Sequence, residues 1–201
     1  MTLTKTRPST DFTAARRAMI DSQLRVTGVN DPAVLARFLA VPREDHVPAG
    51  ARSTCYMDRA APLGGGRYLA APLSHGLMLE EAAPVLGDKA LLVDGGSGYL
   101  AELVRPMVGS LDIITPEEAA AKSRKKGDFT LLLVDGAVEE LSEELIRRIA
   151  DNGRVVTGMI RNGVTHLAVG RKAAGKVTLV PLAEVGFPRM AQFDKPAGWS
   201  F

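Results

Sequence analysis

Apolar residues recur at helical spacing near the start of the chain, at Ala15, Met19, Ile20 and Leu24. The pattern predicts a helix over residues 12–25, with Asp11 as its cap and Gly28 as its stop. Asp31-Pro32 predicts a second helix over residues 33–40, with Asp31 as N-cap and Pro32 in the first turn. Val41-Pro42 ends it. Residues 42–72 follow neither period and carry Pro42, Pro48, Gly50, Pro62, Gly64, Gly65, Gly66 and Pro72. They read as an irregular, loop-rich segment, and long loops in compact domains are often functional. Helical spacing resumes over residues 73–86 through Leu73, Leu77, Leu79 and Ala83.

From Lys89 onward short apolar runs alternate with helical patterns. Strands are predicted at 90–93, 110–114 and 130–134, and helices at 100–108, 116–126 and 139–150, the last ended by Asn152-Gly153. Residues 154–160, 165–171 and 176–182 read as an antiparallel meander. Its turns fall at Arg161-Asn162-Gly163 and Ala173-Ala174-Gly175. Alternating strand and helix implies an α/β fold with a mostly parallel sheet and right-handed crossovers. The closing hairpins put antiparallel strands at one edge. Residues 1–11 read as a disordered lead-in. Residues 12–201 read as one domain, with a helical and loop extension over 12–88 and the core over 89–201.

Composition narrows the class. The 201 residues are 46% apolar and 24% charged with a net charge of +2, an ordinary globular balance. Only 5% are aromatic, so the core is built from Val, Leu, Ile and Ala. The short basic run Arg124-Lys125-Lys126 reads as a solvated helix end, and nothing else suggests nucleic-acid binding. A lone Cys55 excludes an intramolecular disulfide and fits a reducing compartment. No apolar run approaches a membrane span and the first residues lack a signal core, so the expected location is cytoplasmic. His46 and His166 have no partners at metal-ligand spacing, so no metal site is expected.

The chemistry-bearing motif is Asp94-Gly95-Gly96-Ser97-Gly98-Tyr99, between the first core strand and a helix. Glycine at such a turn lets the backbone approach a ligand. The following helix start offers free N–H groups, and ligands of open α/β sheets bind beyond the carboxyl ends of the strands. A plain structural turn that packs helix on strand explains the same residues.

Further residues sharpen the picture. Arg17-Ala18-Met19-Ile20-Asp21-Ser22-Gln23-Leu24-Arg25, Gly28, Asp31-Pro32, Val34-Leu35 and Val41-Pro42-Arg43-Glu44 stand in order. Tyr56, Asp58-Arg59, Pro62-Leu63-Gly64, Gly66 and Pro72 follow, then Ser97-Gly98-Tyr99 and Asp151-Asn152-Gly153-Arg154. Together they resemble the protein-L-isoaspartate O-methyltransferase family over roughly residues 14–182. The resemblance implies a Rossmann-like class I methyltransferase fold. It also implies S-adenosyl-L-methionine as cofactor, and methyl transfer to the α-carboxylate of isoaspartyl residues in proteins or peptides, a repair reaction.

The resemblance also assigns positions. Cofactor contacts fall on Asp94, Gly95, Gly96, Ser97, Gly98 and Tyr99, with Thr115, Glu117 and Asp135 beyond the later strands. The substrate side falls on Asp58, Arg67 and Ala70. Several of these differ from the family pattern. Ala70 stands where the family has a serine near the transferred methyl. Arg67 begins the altered Arg67-Tyr68-Leu69-Ala70 segment and offers a guanidinium fork for a carboxylate. The acid before the first glycine falls on Leu92, and the first glycine on Asp94. Asp94 either takes the methionine amine or caps the loop's own N–H groups. The ribose-binding acid falls on Thr115, with Glu117 and Glu118 beyond it as helix-start acids or, for Glu117, a ribose contact. Asp135 is a crevice contact or a loop cap, and His75 a helix-start residue near the substrate loop.

Only residues 116–128 separate Thr115 from Phe129, too few for two crossovers and a strand. One outer strand is therefore expected to be absent, with the chain passing back across the first core strand, roughly 10 Å. The chain is identified as a shortened member of the family. Two functions remain: a methyltransferase, or a catalytically inactive relative acting as a binding or scaffold module.

Overall fold

The computed structural model describes residues 11–122 and 127–195. The lead-in over residues 1–10 and the basic run at 124–126 lie outside them.

Asp11 caps the first helix, α1 (Phe12–Met19), by accepting from the N–H groups of Thr13 and Ala14 at 3.0 and 3.1 Å. The expected continuous helix changes character at Ile20, where a π turn (Ile20–Leu24) and a 3-10 turn (Arg25–Thr27) lead to Gly28. Helix α2 (Pro32–Ala40) follows, with Asp31 at its cap and Pro32 in its first turn. The segment expected to be irregular contains a hairpin instead, β1 (Ala61–Gly64) and β2 (Arg67–Leu69). Its tip is Gly64-Gly65-Gly66, all at positive φ (+91°, +60° and +75°), where a side chain would be strained. The three-glycine turn was the hairpin's signal, and neither flanking strand is long enough to show a period. Helix α3 (Pro72–Ala82) follows.

The core holds β3 (Lys89–Val93), α4 (Tyr99–Val104), β4 (Ser110–Ile114), α5 (Pro116–Ala120), β5 (Phe129–Val138), α6 (Glu143–Arg147), β6 (Ile149–Arg161), β7 (Val164–Ala173) and β8 (Lys176–Glu184). The sheet order is β4-β3-β5-β6-β7-β8. The first four strands pair parallel, and β6, β7 and β8 pair antiparallel. The turns Asn162-Gly163 and Ala174-Gly175 have positive φ at both residues, as the hairpin geometry requires. Among the described residues no strand lies beyond β4. The chain returns from β4 past β3 to β5, as the short spacer implied.

Four helices are shorter than their periodicity suggested; the one expected over 73–86 is α3, which stops at Ala82 with Ala83 in the left-handed conformation. The predicted 100–108 helix is helical through Val104 and tightens into a 3-10 turn. The predicted 116–126 helix is α5, ending at Ala120. The predicted 139–150 helix is α6 alone, because Ile149 already pairs with Phe129. Tertiary pairing overrides local propensity there.

Alternation along the strands sorts the core into two layers. Ala90, Leu92, Leu131, Leu133 and Val156 face α1 to α4, whereas Leu91, Val93, Leu132, Val134 and Val155 face α5 and α6. Burial on both faces explains the continuous apolar runs. Each fully buried leucine contributes about 1.5–3 kcal/mol. At the amino end of the sheet, Asp88 accepts from Arg154 at 2.6 Å, the Thr130 hydroxyl at 2.8 Å and the Val85 N–H at 2.9 Å.

Candidate functional site

The carboxyl ends of β3, β4 and β5 meet on one side of the molecule. Pairing of β3 with β4 extends one step, the Asp94 N–H donating to the Ile114 carbonyl at 3.0 Å. The glycine loop then turns inward. Asp94 accepts from the N–H of Gly96 at 2.8 Å and of Gly98 at 3.1 Å, and the Ser97 hydroxyl accepts from the Tyr99 N–H at 3.1 Å. Of the two readings open for Asp94, this is the loop-capping geometry, and it engages both carboxylate oxygens. Burial, and next the Asp135 charge, push the Asp94 carboxyl above the usual aspartate range; the two N–H bonds oppose this without cancelling it.

A bulge in β5 sets the opposite wall. Val134 pairs with Thr157 but Ala137 with Gly158, so Asp135 and Gly136 are extra residues on β5. Such bulges re-aim side chains. Here Asp135 turns inward to His75 on α3, with Oδ1 at 2.7 Å from Nε2 and both side chains buried. The two walls touch: a Cβ on Gly95 would stand 2.7 Å from the Asp135 carbonyl oxygen.

Residues 185–194 cross over this end as a strap. The Ala137 N–H donates to the Pro188 carbonyl at 2.7 Å, and the Met190 N–H returns to the Ala137 carbonyl at 2.9 Å. Arg189 binds Glu139 at 2.9 Å and Asp194 at 2.8 Å. The Gln192 amide donates to Glu117 at 2.8 Å.

Between these parts lies a cavity of about 470 Å3, lined by residues 65–68, 94–96, 113–117, Asp135 and residues 188–192. It thus gathers Arg67, Asp94, Gly95, Gly96, Thr115, Glu117 and Asp135. A second cavity of about 620 Å3 is lined by residues 58–60, Tyr68, Ala71, Leu73, Ser74 and residues 184–189. Tyr68, Pro188 and Arg189 line both. Asp58 faces this second cavity and accepts a long bond, 3.4 Å, from the Leu73 N–H in the first turn of α3.

Other candidates point elsewhere. Ser97 gives its carbonyl to His46 Nδ1 at 2.9 Å. Gly98 is the left-handed residue before α4. Tyr99 is buried beneath the loop among Phe38, His46 and His75, and burial pushes its hydroxyl up to about 12. Ala70 is buried and lines neither cavity; its carbonyl accepts from Arg43. Thr115 and Glu118 form a capping box at the start of α5, which occupies the Thr115 hydroxyl. Glu117, on the same turn, is held below the usual glutamate range by its own backbone N–H, then by Thr115 and Gln192. Arg67 lies across the loop, its Nη1 2.8 Å from where a Gly96 Cβ would be. Cys55 is buried, and burial pushes its thiol up to about 11, the direction of a less reactive thiol.

The sequence reading missed three features. The strap carried no periodic signal. The His75–Asp135 pair joins residues 60 apart, and only tertiary structure brings them together. Arg43 is fully buried with its guanidinium 5.0 Å above the Tyr99 ring, Nε donating to the Cys55 carbonyl at 2.6 Å. Burial lowers its pKa. Among the described residues no three His, Cys, Asp or Glu side chains gather to hold a metal, and no helix is long and apolar enough to cross a membrane.

The strand order, the glycine loop at its carboxyl end and the helices on both faces define a Rossmann-like methyltransferase fold. The family model of protein-L-isoaspartate(D-aspartate) O-methyltransferase matches residues 14–126, and the chain belongs to that family. A protein-L-isoaspartate O-methyltransferase from Methylorubrum extorquens is 30% identical, the match covering 89% of this chain and 92% of that one. One from Roseiflexus castenholzii is 39% identical over 113 residues, 56% of this chain and about half (51%) of that protein. A crystal structure from Plasmodium falciparum, assigned to the same family, superposes with a TM-score of 0.69 at 18% identity, covering 92% of this chain and all of that one (100%).

Proposed function

We propose that this chain binds S-adenosyl-L-methionine beneath the glycine loop and transfers its methyl group to the free α-carboxylate of isoaspartyl residues in proteins or peptides. The observation that carries this reading is a pair of adjacent cavities that share three lining residues. A cavity at the strand ends lies beside a larger one, with Tyr68, Pro188 and Arg189 lining both. That is the layout a reaction needs when the donor stays bound and a polymer substrate comes and goes. The Plasmodium falciparum structure is a complex with S-adenosyl-L-homocysteine, the demethylated product. A cavity of about 470 Å3 suits a ligand of this size.

The bound cofactor supplies an activated methyl group on a positive sulfur. The protein's part is positioning and exclusion of water. In this reading residues 94–96 lie under the cofactor, the strap shields it, and Glu117 takes the ribose. Arg67 receives the substrate carboxylate. It lines the first cavity next to Tyr68, which lines both, and makes no hydrogen bond to a protein group among the described residues, although its charge is felt at Glu117. A guanidinium pairs well with a carboxylate and repels a sulfonium, which assigns it to the acceptor.

One observation favours a second reading, a binding module without turnover. Both Asp94 oxygens and the Thr115 hydroxyl oxygen already accept backbone N–H bonds inside the protein. Calorimetry with S-adenosylhomocysteine, followed by methyl transfer to an isoaspartyl peptide, separates the two. Binding with turnover, and a raised KM for the peptide in Arg67→Ala, supports the enzyme. Binding without turnover supports the module. No binding at millimolar ligand refutes the enzyme and leaves a scaffold that does not use the cofactor.

A further inference from the structure

No strand lies beyond β4 among the described residues, so one flank of the cofactor cavity depends on other parts of the chain. The strap provides it. Ile113, Ile114, Pro116 and Met190 give this end an apolar lining, and Glu117 and Gln192 give it a polar rim. The bond between those two side chains joins residues 75 apart and closes the strap onto α5.

The chemistry of the bond fixes what the rim offers. Only the NH2 of an amide can donate to a carboxylate, so the Gln192 orientation is settled. Its carbonyl oxygen then remains available as an acceptor. Glu117 takes the amide on Oε1, and its carboxylate also receives its own backbone N–H and the Thr115 hydroxyl; with about four lone-pair sites it still has room for a further donor. Two acceptors side by side match the two hydroxyl donors of a ribose cis-diol, while the apolar residues suit the face of a base. A glutamate held by Gln192 also loses less rotamer freedom when a ligand arrives.

Resting on the cofactor reading above, we infer that Gln192 is a positioning residue that fixes Glu117 as the ribose acceptor. The C-terminal strap thereby rebuilds the nucleoside end of the pocket. Gln192 acts by orienting this carboxylate from the strap, while Thr115, the N-cap of α5, reaches it from the helix start.

The test compares S-adenosylhomocysteine with its 2′-deoxy analogue by calorimetry, on the wild type, Gln192→Ala and Glu117→Gln. The wild type is expected to prefer the ribose form by roughly tenfold, the usual scale for a hydrogen bond to a charged group. In both variants the ratio falls toward one while affinity for the deoxy form holds. A merely structural strap would weaken both ligands equally. A wild-type ratio near one, or a Gln192→Ala ratio equal to wild type, overturns the inference and leaves the cofactor reading standing. Failure of the wild type to bind either ligand overturns both.

Discussion

Gly95→Ala probes the point where the two walls of the cavity meet. The added Cβ would stand 2.7 Å from the Asp135 carbonyl oxygen and 3.3 Å from its Oδ2. Parting the two backbones to ordinary contact takes a shift of roughly 0.7 Å. Neither side yields easily. Asp94 pins the loop through the N–H groups of Gly96 and Gly98, and Asp135 is tied to His75 and flanked by the β5–β6 pairing. Overpacking of this kind costs about 1–3 kcal/mol. For a chain of this length that lowers Tm by roughly 2–12 °C. The displaced loop should also weaken S-adenosylhomocysteine binding by about tenfold or more. Thermal unfolding and calorimetry read the two effects. Gly87→Ala is the control, because an added Cβ there meets nothing within 4 Å. It should stay within about 0.5 kcal/mol of wild type. If Gly95→Ala unfolds together with the control and binds ligand as wild type does, the close approach is not a constraint and the reasoning fails.

Asp135→Ala should cost about 1–3 kcal/mol in urea unfolding by leaving the buried His75 Nε2 without its partner, while Asp135→Asn keeps an acceptor and costs less. A loss under about 1 kcal/mol for Asp135→Ala would show that the pair is not holding the bulge. Asp88 predicts a pH dependence. Burial favours its neutral form, but the Val85 N–H, Thr130 and Arg154 outweigh it and hold its pKa below 3.8. A folded pKa below the unfolded one gives stability that is complete above pH 3.8 and lost as pH falls through the lower folded value. Asp88→Asn should therefore be less stable than wild type near neutral pH, with the gap closing in acid. A gap that is constant with pH would sink this assignment.

Much of the plan is legible in the residues themselves. Caps at Asp11 and Asp31, and the two glycine-containing hairpin turns, act through their immediate neighbours, so the sequence determines them. Buried strands such as β3 and β5 announce themselves because two-sided burial demands continuous apolar runs. The short spacer between Thr115 and Phe129 determines the lost outer strand by chain length alone. The glycine loop identifies the crevice and, with its flanking motifs, the family.

The contents of the crevice were decided by tertiary structure. Asp94 could cap the loop or reach a ligand; only the fold of its own turn shows the capping bonds to Gly96 and Gly98. Asp135 reaches His75 only because a two-residue bulge, set by pairing with β6, turns it inward. The strap had no periodic pattern to read, since it is held by Ala137, Glu139 and Glu117 across long sequence separations. Local rules specify elements whose partners lie within a few residues. A pocket built from five distant segments exists only once the sheet has brought their ends together.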